Sequence, residues 1–85
     1  MCNESRRSDA YTYAKEAVKL QLKSPRSAKF GSYGQTDVSL HQDCIFSVKG
    51  YVDSQNGFGA MIRSQYEVKL TGAKSEWKLT HIEVR

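Results

Sequence analysis

The chain has 85 residues, 39% of them hydrophobic and 26% charged, and a net charge of +4. At this size only about 60% of the unfolded surface can be buried, which suits a single domain built from one helix and one sheet. The composition excludes a disordered chain, and no apolar run approaches the roughly 20 residues that span a bilayer.

Residues 1–7 read as a flexible tail, polar from the third residue onward, and residues 8–85 as one domain. The segment "SDAYTYAKEAVKLQLKS" has the pattern of an amphipathic helix. Ser8 is the expected N-cap, and Asp9 stands in the first turn, where its charge suits the helix dipole. Tyr11, Ala10, Ala14, Ala17, Val18 and Leu22 share one broad side, edged by Tyr13 and Leu20, and Thr12, Lys15, Glu16, Lys19 and Lys23 form the opposite stripe. Pro25 is expected to end the helix. "SPRSAKFGSYGQ" then reads as a connector whose Phe30 folds back onto the core. "TDVSL" suggests a short strand, and "CIFSVKGYVD" alternates clearly. Its Cys44, Phe46, Val48 and Val52 point one way, and Ile45, Ser47, Lys49, Tyr51 and Asp53 the other. In "AMIRSQYEVKL", Ala60, Ile62, Tyr66, Val68 and Leu70 share a face opposite Met61, Arg63, Gln65, Glu67 and Lys69. In "WKLTHIEVR", Trp77 and Leu79 are out of step with Ile82 and Val84, and a bulge near Thr80–His81 reconciles them. The expected architecture is α+β, with the helix lying across a meander of three or four antiparallel strands.

Chemistry-bearing residues are few. His41 and Cys44 have a zinc-like spacing, but His81 and Cys2 are the only other soft ligands, so no metal or other cofactor is expected. A Cys44, His81 and Asp43 constellation has no spacing to support it, and Asp53, Glu67 and Glu83 read as scattered outward carboxylates. An enzyme is therefore not expected. "NGFG" lacks the following helix of a phosphate cradle. Residues 1–30 hold seven basic residues against three acidic ones, whereas the remainder balances six against six. Lys15, Lys19 and Lys23 form a candidate basic face for nucleic acid. The aromatics Tyr11, Tyr13, Phe46 and Trp77 read as core, leaving Tyr51 as the one outward ring.

The segments "LKSPRSAKF" (22–30) and "VKGYVDSQNGFGAMIRSQYEV" (48–68) resemble a small bacterial and phage domain with LKSPxxAKF and GxVDxQNxFGAxxRxxY motifs. The resemblance covers roughly residues 10–84. It implies no established activity and a setting behind lipoprotein leaders, membrane anchors or zinc ribbons. It also implies a Cys shortly after the Arg-x-x-aromatic pair, where this chain has Val68. The motif positions are Pro25, Ala28, Lys29, Phe30, Gly50, Val52, Asp53, Gln55, Asn56, Phe58, Gly59, Ala60 and Arg63. Most have turn or strand roles: Asn56-Gly57 suits positive φ, Asp53 and Gln55 suit loop amides, and Gly59 suits close backbone approach. Arg63 either pairs with Asp53 across the hairpin or holds an anion.

Cys2 has two readings. It is an incidental thiol near a natural start, or "CNESRRS" resembles the mature end of a bacterial lipoprotein, with Cys2 lipidated and Arg6 and Arg7 near an anionic surface. The expected function is a non-enzymatic interaction module. It is envelope-tethered if Cys2 carries lipid and cytoplasmic otherwise, and it binds a partner protein or itself. The expected contact surface is Ile45, Tyr51, Asp53, Asn56, Phe58, Met61 and Arg63. The alternative is a small basic phage or bacterial protein that binds nucleic acid through its helix.

Overall fold

A computed structural model of the chain describes residues 6–41, 44–72 and 77–85. The first element, α1, spans Arg7–Lys19. Ala10, Ala14 and Val18 recur on its inner face and are fully buried, so small side chains let the helix lie close to the sheet. Ser8 lies within the first turn; the capping position is Arg6, which makes no side-chain capping bond. Arg6 is anchored differently. Its guanidinium lies 4.5 Å from the centroid of the Trp77 ring and donates to the carbonyl of Gly72. Arg6 and Arg7 thus belong to the folded unit, ahead of the expected boundary at residue 8.

The helix also stops well before Pro25. The amides of Gln21 and Leu22 reach back to the carbonyls of Val18 and Lys19, at 2.9 and 3.2 Å, in tight 3-10-type turns. Leu20 is left 85% exposed. Pro25 instead opens a separate 3-10 turn, Pro25–Ser27, with proline in the first position.

Five strands form among the described residues: β1 (Lys29–Phe30), β2 (Asp37–Leu40), β3 (Ile45–Gln55), β4 (Met61–Thr71) and β5 (Lys78–Val84). All pairings are antiparallel. β3 is central, with β4 along one edge. On its other edge β2 pairs with residues 46–49 and β1 with residues 52–53. β5 adds to the far side of β4. The class is α+β as the sequence suggests, and the sheet gains β1, which the connector reading left without structure.

Alternation places Phe46, Val48 and Val52 of β3 and Tyr66, Val68 and Leu70 of β4 against α1, all buried. Gly50 interrupts that row because it faces Tyr66 in the register. A Cβ there would lie 2.9 Å from the Tyr66 hydroxyl, so the phenol rests on bare backbone. Trp77 closes one end of the core, edge-on to Phe46 at 5.2 Å. In β5, Lys69 pairs with His81 and Leu70 with Leu79, which leaves Thr80 as the extra residue of a bulge. Ile82 and Val84 thereby join Trp77 in packing against the core. Cys44 does not begin the buried face of a strand. It precedes β3 in the left-handed region, at φ 63°, and is disulfide-bonded. The domain measures 45 × 22 × 18 Å, and the eleven-residue strands of the β3–β4 hairpin, about 36 Å long, account for its long axis.

Candidate interaction surface

The hairpin tip is tightly held. The Gly59 amide bonds the Asn56 carbonyl at 3.1 Å and the Asn56 amide bonds the Ala60 carbonyl at 2.9 Å, with Gly59 at φ +83°. This is a type I turn followed by a left-handed residue, a common three-residue hairpin loop. Asn56 Oδ1 accepts from the amides of Phe58 and Ala60 at 2.8 and 3.1 Å. The positive φ expected at Asn56-Gly57 therefore sits at Gly59, which nothing approaches closely. The loop amides are served by Asn56, whereas the Asp53 side chain is engaged by Arg63. The Gln55 backbone N–H donates to Ser27 Oγ at 2.9 Å.

This turn presents Phe58 at 97% exposure, with Met61 at 50% and Ile62 at 46% beside it. Ile62 belongs to the buried phase of β4, but α1 ends too early to cover it. A shallow groove lined by Leu22, Lys23, Ser54 and Ile62 lies there instead. The alternation puts Ile62 on the face of Tyr66, Val68 and Leu70, and the early end of the helix is what exposes it.

Arg63 is accounted for by its neighbours. It stands directly opposite Asp53, and its Nε and Nη2 donate to the two carboxylate oxygens at 2.8 and 3.1 Å. The hydrogen bond from Arg63 holds the Asp53 carboxyl below its ordinary pKa. The same guanidinium lies 3.9 Å from the centroid of the Tyr51 ring, whose hydroxyl donates to Gln35 Oε1 at 3.3 Å. Tyr51, Asp53 and Arg63 thus form a structural brace behind the tip, and neither Tyr51 nor Arg63 is idle. Ile45 does not join them. It pairs with Thr71 whereas Met61 pairs with Gln55, so Ile45 and Met61 lie about 33 Å apart along the hairpin. Ile45 is also only half-buried and not fully exposed. The expected surface therefore divides, and Asn56, Phe58 and Met61 remain together at the tip.

The basic stripe is likewise broken. Lys15 lies over the Tyr11 ring at 4.4 Å and Lys19 pairs with Glu16 at 3.8 Å. Lys23 lies beyond the end of α1 and has no helical register with them.

The thiol chemistry considered for Cys44 is closed while its sulfur is in a disulfide. His41 turns instead to Ser47 Oγ at 3.0 Å. Cys2 and Asp43 lie outside the described residues. Glu67 and Glu83 are not scattered. They stand directly opposite each other on β4 and β5, with His81 on the same outer face. These three residues are where a metal ion can be held.

Together these features define a small α+β domain with a projecting two-stranded arm. No family model, curated protein or solved structure matches the chain.

Proposed function

We propose that the protein is a non-enzymatic binding module of the cell envelope that docks a partner protein through the tip of the β3–β4 hairpin. The observation that carries this reading is Phe58, 97% exposed on a turn fixed by the Asn56 side chain. Burying such a ring contributes roughly 1.5–3 kcal/mol, and a turn already ordered loses little entropy on binding. Met61 and Ile62 add apolar surface on the two opposite faces of β4 just past the turn, and the Tyr51–Asp53–Arg63 brace stiffens the strands beneath it. The disulfide at Cys44 supports an oxidising compartment.

The test is a photo-crosslinking phenylalanine analogue in place of Phe58, introduced into the native cells. A discrete protein adduct is expected, and it should be lost when Met61→Lys is added. An adduct of twice the protein's mass identifies a second copy as the partner. Absence of any discrete adduct rejects the reading. Salt-dependent retention on DNA that Lys15→Glu, Lys19→Glu and Lys23→Glu abolish would favour nucleic-acid binding instead.

A further inference from the structure

A second surface lies on the outer face of β4 and β5, away from the hairpin tip. The Thr80 bulge returns β5 to register so that Lys69 faces His81 and Glu67 faces Glu83. His81 and Glu83 are two residues apart on one strand and project from the same side of the sheet. Their side chains converge: His81 Nε2 lies 3.7 Å from Glu83 Oε1. One ligand atom from each of Glu67, His81 and Glu83 lies within 4.8 Å of the other two. Three atoms so spaced share a centre within about 2.8 Å of each, and zinc bonds to nitrogen or oxygen are roughly 2.0–2.2 Å. Rotamer adjustments of about 0.6–0.8 Å close the difference.

The two carboxylates are also held in place by neighbouring basic residues. Two carboxylates directly opposite each other on neighbouring strands repel. Here the repulsion is offset from the rim, with one oxygen of each held by a basic residue. Arg85 Nε lies 2.8 Å from Glu83 Oε2, and Lys49 Nζ lies 3.8 Å from Glu67 Oε2. The Arg85 contact occupies Glu83 Oε2. It leaves Glu83 Oε1 turned toward His81.

We infer that Glu67, His81 and Glu83 form a binding site for a divalent first-row transition ion, zinc being the best fit. One imidazole and two carboxylates make a mixed nitrogen and oxygen donor set, with the outer positions left to water. Arg85 and Lys49 hold the carboxylates in place but cancel their charge, so the affinity is modest and rises when one of these cations is removed.

The experiment is a zinc titration of the full chain, free of any histidine tag, followed by calorimetry and by the histidine ring resonances. One equivalent is expected to bind, with the His81 ring moving. His81→Ala and Glu67→Gln should each weaken binding by about tenfold or more. His41→Ala should leave it unchanged, since His41 is bonded to Ser47, two strands across the sheet from His81. Arg85→Gln should tighten it several-fold by removing a like charge from the ion. Circular dichroism shows that each variant is folded. No saturable binding up to about 1 mM zinc, or binding that survives His81→Ala, overturns the inference.

Discussion

Replacing Tyr66 by phenylalanine is expected to make the protein more stable. Tyr66 is 3% exposed and packs edge-on against Phe30 at 5.9 Å. Its hydroxyl lies over Gly50 with no hydrogen-bond partner among the described residues. The Thr36 hydroxyl is near enough to draw the phenol pKa down slightly but falls short of hydrogen-bond geometry. Its own proton goes to the Ser32 carbonyl at 2.8 Å. A buried hydroxyl without a partner costs about 1–3 kcal/mol, and deleting it sacrifices a few tenths in dispersion contacts. The net gain is about 1 kcal/mol, or roughly 4–8 °C in Tm for a domain of this size.

The same residue sets a pH signature. Burial pushes its pKa from 10.0 to about 12. The folded value lies above the unfolded one, so the contribution is fully present below pH 10 and is lost as pH rises from 10 through 12. Wild type loses about 3 kcal/mol from this residue across that window, and Tyr66→Phe does not. Urea unfolding of both proteins near pH 7 and near pH 11 measures the difference. A variant less stable than wild type, or a gap that fails to widen at high pH, refutes the reasoning.

The Asp53–Arg63 pair and the hairpin turn give further expectations. Asp53→Asn should lower Tm slightly at neutral pH. Because the folded carboxyl titrates below its ordinary 3.8, its contribution is present above that pH and lost as pH falls through the lowered value, where the two melting curves should meet. Gly59→Ala should cost about 1–2 kcal/mol, since φ +83° is unfavourable for any residue with a Cβ, whereas Gly57→Ala should be nearly neutral. Equal effects at the two glycines, read by urea unfolding, would contradict the turn geometry.

Much of the fold is written in local periodicity. Ala10, Ala14 and Val18 mark the helix, and Phe46, Val48, Val68 and Leu70 mark the buried face of the long hairpin. The phase break in "WKLTHIEVR" was enough to locate the bulge at Thr80. What stayed hidden depends on contacts distant in sequence. The helix stops at Lys19, where the chain tightens into 3-10-type turns, while propensity alone favours continuing it to Pro25. That single difference uncovers Ile62 and separates Lys23 from Lys15 and Lys19. Register is equally silent in sequence. Nothing local says that Glu67 faces Glu83, or that Ile45 and Met61 lie at opposite ends of one hairpin. The Arg63–Asp53 pair was legible because both residues lie on one hairpin with a short turn, which fixes their pairing.

The most direct measurement of the proposed role is a crosslinking scan along the outer length of the hairpin. Photo-reactive residues at positions 58 and 61 sample the tip, and those at 45 and 69 sample the opposite end of the same hairpin, roughly 26–33 Å away. The binding-module account predicts a discrete protein adduct from 58 and 61, none from 45 and 69, and its disappearance in Ile62→Asp. Adducts confined to the far end, or no discrete adduct from the tip, would contradict it.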